Sequence, residues 1–114
     1  MDNKSLGNFG ESLATEFLKN NGYEILDRNY RRMGTEIDII AKKDFLIVVV
    51  EVKTRRSRKF GNAYEAVDER KINNIIQTIS YYILEKNLYD YQIRFDIIEV
   101  YSNEKVINHI ENAF

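Results

Sequence analysis

The run Thr35-Glu-Ile-Asp-Ile-Ile-Ala-Lys-Lys-Asp-Phe-Leu-Ile-Val-Val-Val-Glu-Val-Lys-Thr-Arg55 decides the architecture of this chain. It reads as two strands, about Thr35 to Lys42 and Phe45 to Thr54, both rich in Ile and Val and joined tightly at Lys43-Asp44. Phe45 to Val50 is apolar at every position, which predicts burial on both faces and hence a central strand. After Val50 comes Glu51-Val52-Lys53, so one face turns charged at the strand's C-terminal end.

On the N-terminal side, Leu6, Phe9, Leu13 and Phe17, with Ala14 and Leu18, fall at helical spacing and predict an amphipathic helix from about 6 to 20. Asn20-Asn21-Gly22 supplies a left-handed stop, with Tyr23 folding back as its apolar partner. An extended stretch from Tyr23 to Arg31 follows, then a turn at Met33-Gly34. On the C-terminal side, a loop passes Gly61 and a long helix runs to about Lys86. Asp68 is a better N-cap for it than a start at Asn62. Its stripe is Ile72, Ile75, Ile76, Ile79, Tyr82 and Ile83. Gln92 to Val100 alternates as a further strand, and the tail from Glu104 supplies a short edge strand or frays. Helix, three strands, helix, strand is an α/β arrangement, a mixed central sheet flanked by helices. At 114 residues it fits a single domain.

There are no cysteines, so disulfides and thiolate metal sites are excluded. The longest apolar run has six residues, far short of the roughly 20 needed to cross a bilayer. The N-terminus lacks a signal-peptide pattern, and the expectation is a cytoplasmic protein without membrane contact. Net charge is −1, which alone argues against a nucleic-acid ligand. The charge is uneven, however. Arg28 to Lys71 holds twelve Lys/Arg against seven Asp/Glu, and Lys53, Arg55, Arg56, Arg58 and Lys59 crowd into one short stretch.

Side chains alternate faces along a strand, so Glu51 and Lys53 point the same way. With Lys43-Asp44 as a two-residue turn, Lys42 opposes Phe45, and Asp38 opposes Val49 on the face of Glu51 and diagonal to it. Glu36 then opposes Glu51. Three carboxylates on the face of a buried strand are costly unless compensated, and a divalent cation removes the cost. Oxygen donors without Cys or His favour Mg²⁺ or Mn²⁺ over zinc. Spacing alone leaves a salt-bridge cluster around Lys53 equally open. The cations that leave the strand here would hold a phosphodiester backbone, and an acidic metal site beside a basic rim is what cutting a polyanion requires.

Gly10-Glu11, Thr35 to Ala41, Val50-Glu-Val-Lys-Thr-Arg55, Phe60-Gly61, Glu65-Ala-Val67, Lys71 and Arg94-Phe-Asp-Ile-Ile98 stand in the order seen in the YraN family. That family resembles nucleases of the restriction-endonuclease-like fold and, distantly, archaeal Holliday-junction resolvases. The match spans roughly residues 7 to 100. The resemblance implies an αβββαβ core, with Asp38 and Glu51 as metal ligands. It implies Lys53 as the lysine that orients or deprotonates the attacking water, and Glu11 as an additional acidic ligand. Glu36, from its register position, is expected behind these. Arg55 and Lys71 match basic positions of the family and are expected to face phosphate, as are Arg56 and Arg58 from the basic run. The implied partner is DNA, including branched DNA, and the implied assembly a homodimer, for which the residues themselves give no signal. Two departures touch no ligand: Ile37 stands where a proline often precedes the aspartate, and Thr35 where glycine is usual, with glycine at 34.

Other residues read as structural. His109 sits in the tail, Tyr81, Tyr82, Tyr89 and Tyr91 suit packing better than base stacking, and Asp96 suits a hydrogen-bonded carboxylate. A metal-dependent endonuclease on DNA is thus the leading expectation. A nucleic-acid-binding module that keeps the fold without turnover is the alternative, and a protein-interaction domain the third.

Overall fold

The computed structural model describes residues 1–58 and 68–114. Lys59, Phe60, Gly61, Asn62, Glu65, Ala66 and Val67, named above for their charge, turn or motif, lie outside the described residues. The elements are α1 (Asn3–Asn20), β1 (Glu24–Arg32), β2 (Thr35–Lys43), β3 (Leu46–Arg55), α2 (Glu69–Lys86), β4 (Gln92–Tyr101) and β5 (Val106–Ile110). This is the expected αβββαβ order with one more strand from the tail. Asp2 caps α1 by accepting from the Ser5 N–H, and Asp68 caps α2 by accepting from the Lys71 N–H.

The five strands lie in the order β1-β2-β3-β4-β5. β3 is central, as its unbroken apolar run requires, and Ile47 to Val50 are fully buried. The neighbouring pairs are antiparallel except β3–β4, which is parallel and connected through α2, so the sheet is mixed. The helices cover opposite faces. Ala14 and Leu18 of α1 pack with Ile39, Ala41, Val48, Val50, Ile98 and Val100. Ile75, Ile79 and Tyr82 of α2 pack with Ile37, Ile40, Ile47 and Val49.

Three local expectations are corrected. The β2–β3 turn is Asp44-Phe45, not Lys43-Asp44, because Asp44 takes the left-handed conformation (φ 54°) that a tight hairpin needs. Phe45 is therefore 75% exposed at the turn rather than buried in the strand. Secondly, α2 turns Ile76 outward, 43% exposed, since Ile75, Ile79 and Tyr82 already fill its inner face. Finally, Phe9 sits at the rim of α1, whose buried line is Leu6, Gly10, Ala14, Thr15 and Leu18.

Candidate metal centre

The turn correction moves the register: Lys43 opposes Leu46, Ile40 opposes Val49 and Ile39 opposes Val50. Asp38 does not oppose Val49, and Glu36 does not oppose Glu51. Moreover, β2 does not alternate regularly. Ile39 and Ala41 face α1, whereas Ile40 and Ile37 both face α2 although they are three residues apart. The alternation slips by one residue at Asp38. Across from it on β1, between the pairs Arg28–Ile39 and Tyr30–Ile37, Asn29 is in the left-handed region (φ 52°).

This slip builds the site. Where the β2–β3 ladder ends, the Val52 N–H donates to Asp38 Oδ2 at 2.8 Å. Asp38 thereby lies in the seam between the strands and opens into a cavity of about 370 Å³ toward α1, lined by Leu6, Gly7, Glu11, Val52, Thr54 and Arg55 among others. Glu51, 5% exposed, leaves the opposite face of β3 and meets Lys71 of α2, Nζ to Oε1 3.5 Å. Asp38 and Glu51 thus do not project from one face as expected. They meet across the seam, where the Glu51 carboxylate is within hydrogen-bonding reach of Asp38. Burial, and then the charge of Glu51, push the Asp38 carboxyl up to about 8, against the opposing pull of the Val52 N–H.

One oxygen each of Glu11, Glu36 and Asp38 can be chosen so that all three lie within 4.8 Å of one another. Glu36 thus stands with the candidate ligands rather than behind them. Asn29 was not singled out from the sequence, yet its amide donates to Glu11 Oε1 at 2.7 Å and Glu36 Oε1 at 3.1 Å. It bridges two of the three carboxylates. Asparagine's tolerance of positive φ, next to a charged strand, was the signal that could have found it.

Glu11 owes its place to Gly10. A Cβ at position 10 would lie 1.9 Å from Thr54 Oγ1, so only glycine lets α1 approach β3 closely enough to bring Glu11 to the seam.

Over residues 10–100 the chain matches the uncharacterised protein family UPF0102. It belongs to that family. The chain is 52% identical to a UPF0102 protein of Clostridioides difficile, with all of both chains covered. It is 48% identical to one of Caldicellulosiruptor saccharolyticus, again over both whole chains. A third, from Persephonella marina, is 44% identical, with 95% of this chain and 91% of the relative covered. None of these names states an activity. What this UPF0102 member does must therefore be read from its site.

The cations divide into those near the cavity and those held elsewhere. Arg55 and Arg56 line its mouth, and Arg56 is tethered to the Met1 carbonyl at 2.7 Å. Arg58 stands over the Tyr101 ring at 4.7 Å, with its backbone N–H on Glu104, and so is engaged at the β4–β5 end. Lys71 pairs with Glu51. Lys53, half-buried, follows Glu51 onto the α2 side and stands in register with Glu99. It is not among the residues lining the Glu11–Asp38 cavity. Glu99 is itself a buried carboxylate, accepting from Asn108 Nδ2 at 2.7 Å and Tyr101 Oη at 3.1 Å. No described helix is long and apolar enough to cross a membrane.

Proposed function

We propose that this protein is a divalent-metal-dependent endonuclease acting on DNA, with Glu11, Glu36 and Asp38 as the metal-binding carboxylates and Glu51 beside them. The observation that carries the reading is the approach of the three carboxylates to one another, with two of them, Glu11 and Asp38, lining a cavity that Arg55 and Arg56 also line. The donor set fits a hard cation: it is all oxygen, and the alternative to a cation is a proton forced onto Asp38 by burial beside Glu51. Mg²⁺ or Mn²⁺ bound there supplies Lewis-acid polarisation of a phosphate oxygen and a more acidic water.

The protein's own part is positioning and charge. The seam holds Asp38 through the Val52 N–H, and Gly10 sets Glu11 against it. Arg55 and Arg56 hold the phosphodiester at the cavity mouth. Lys53 stands on the α2 side, outside this cavity, and its ammonium offsets the negative charge of Glu51 and Glu99 rather than acting on the attacking water.

The test is single-turnover cleavage of single-stranded, duplex, flap and four-way DNA with Mg²⁺ or Mn²⁺, alongside calorimetric metal affinity. Asp38→Asn should lose both cleavage and tight metal binding. Lys53→Met should keep both metal affinity and most of the cleavage rate, because the lysine stands outside the cavity. Cleavage undiminished in Asp38→Asn would overturn the site. Salt-dependent DNA binding without cleavage of any substrate would favour the non-catalytic binding module.

A further inference from the structure

The β1–β2 hairpin turns through Met33-Gly34, both at positive φ (50° and 80°), directly between the pair Arg32–Thr35. A two-residue turn of this kind is served best by Asn-Gly or Asp-Gly, since a side chain without a local hydrogen bond is strained at the first position. Here the position carries a methionine that is 85% exposed. Neither backbone preference nor core packing accounts for an apolar residue there. Strain at an exposed tip is a pointer to use.

The two arginines before it straddle the ribbon. Arg31 turns to the α1 side, where it contacts Glu36, and its side chain is 79% exposed. Arg32 turns to the α2 side, its guanidinium 3.7 Å over the Tyr81 ring, which braces the tip against α2. An apolar, polarisable tip between two guanidinium groups complements one kind of surface, base faces lying between phosphates. Methionine packs well on aromatic rings, and apolar wedges with flanking arginines enter base steps that are already easy to unstack.

We propose that Met33 is a wedge that docks on DNA at an interruption of base stacking, such as a mismatch. The proposal rests on the nuclease reading above and deepens it by naming the substrate feature. Glu36 pairs with Arg31 on the same hairpin, so the tip and the candidate carboxylates Glu36 and Asp38 share one element.

The experiment uses the full chain and duplexes with 2-aminopurine beside a single mismatch, against the matched duplex, with binding followed in Ca²⁺ and cleavage mapped in Mg²⁺. The wild type should prefer the mismatched duplex by about five- to tenfold and change the 2-aminopurine signal. Met33→Asn suits the turn better, so it should fold at least as stably while losing the preference and keeping its affinity for matched duplex. Met33→Leu should retain most of the preference. Equal affinity of the wild type for both duplexes, or a preference that survives Met33→Asn, overturns the wedge while leaving metal-dependent cleavage as separate support for the nuclease. Failure to bind either duplex overturns both readings.

Discussion

Replacing Asp38 by asparagine should stabilise the protein in the absence of metal, although it deletes a candidate ligand. Asparagine keeps an oxygen for the Val52 N–H but carries no charge into the seam beside Glu51. In the wild type the Asp38 carboxyl is pushed from an ordinary 3.8 to about 8, first by burial and then by Glu51. A raised carboxyl pKa is a folding penalty of defined shape. Below about pH 4 both folded and unfolded chains hold the proton, and stability is unaffected. As pH rises from about 4 to about 8, the unfolded chain ionises while the folded one retains its proton. Stability then falls by about 1.4 kcal/mol per pH unit, levelling off above about pH 8. The full penalty is roughly 3–6 kcal/mol, the lower end applying if water in the cavity softens the field.

The assay is urea denaturation of wild type and Asp38→Asn with a chelator present, repeated across that pH range. The two should be nearly equal at about pH 4 and diverge in favour of asparagine up to about pH 8. Adding Mg²⁺ should then raise wild-type stability and leave the variant unmoved, because binding to the folded state alone shifts the equilibrium by mass action. Parallel curves across the range, or a variant less stable at about pH 8, would refute the reasoning that this seam crowds two carboxylates.

Three further outcomes are expected. Gly10→Ala should cost about 1–3 kcal/mol or more by thermal melting and also weaken metal binding, because the Cβ meets Thr54 and pushes α1, with Glu11, off β3. A lower melting temperature with metal affinity intact would show that Glu11 is not a ligand. Asp96→Asn should cost about 3 kcal/mol at neutral pH. Burial raises the Asp96 carboxyl, but His109, Arg94 and the Asn112 N–H together outweigh it and hold the pKa below its ordinary value. Its contribution is therefore present above about pH 4 and disappears as pH falls through the lowered value, so the difference between the proteins should vanish in acid. Arg55→Ala with Arg56→Ala should reduce the salt dependence of DNA binding by about 0.9 for each phosphate that is no longer neutralised. Arg58→Ala should lower the slope less, because Arg58 stands over the Tyr101 ring and not among the residues lining the cavity.

The fold was legible because its strongest signals are periodic and local. The unbroken apolar run of β3 placed it in the centre, and Asp68 stood out as the cap of α2 because a short acceptor preceded an apolar stripe. The errors arose where one residue's backbone choice decides. Asp44 adopting positive φ moved the β2–β3 turn by one position, and no propensity separates Lys43-Asp44 from Asp44-Phe45 sharply enough to fix a register. Ile76 and Phe9 fit the helical stripes by spacing, but a helix buries only as much of its arc as the sheet beneath can cover.

The site was half legible for a deeper reason. Residue types and spacing pointed to Asp38, Glu51 and Lys53, and the family resemblance to Glu11, yet the rule that groups the strand residues, regular alternation on two paired strands, fails at Asp38 itself. Regular alternation could never have brought Glu11 of α1, on one side of the sheet, together with Glu51 on the other. A carboxylate must sit in the plane between the strands to touch both, and it can do so only where the ladder has stopped and an N–H, that of Val52, is left to hold it. Opposite that point the partner strand needs a residue able to turn left-handed and still donate hydrogen bonds, which asparagine does at position 29. The irregularity that defeats the sequence rule is thus the same irregularity that assembles the carboxylates. In a chain of this kind an Asp flanked by β-branched residues, across from an Asn, marks where alternation should be expected to break.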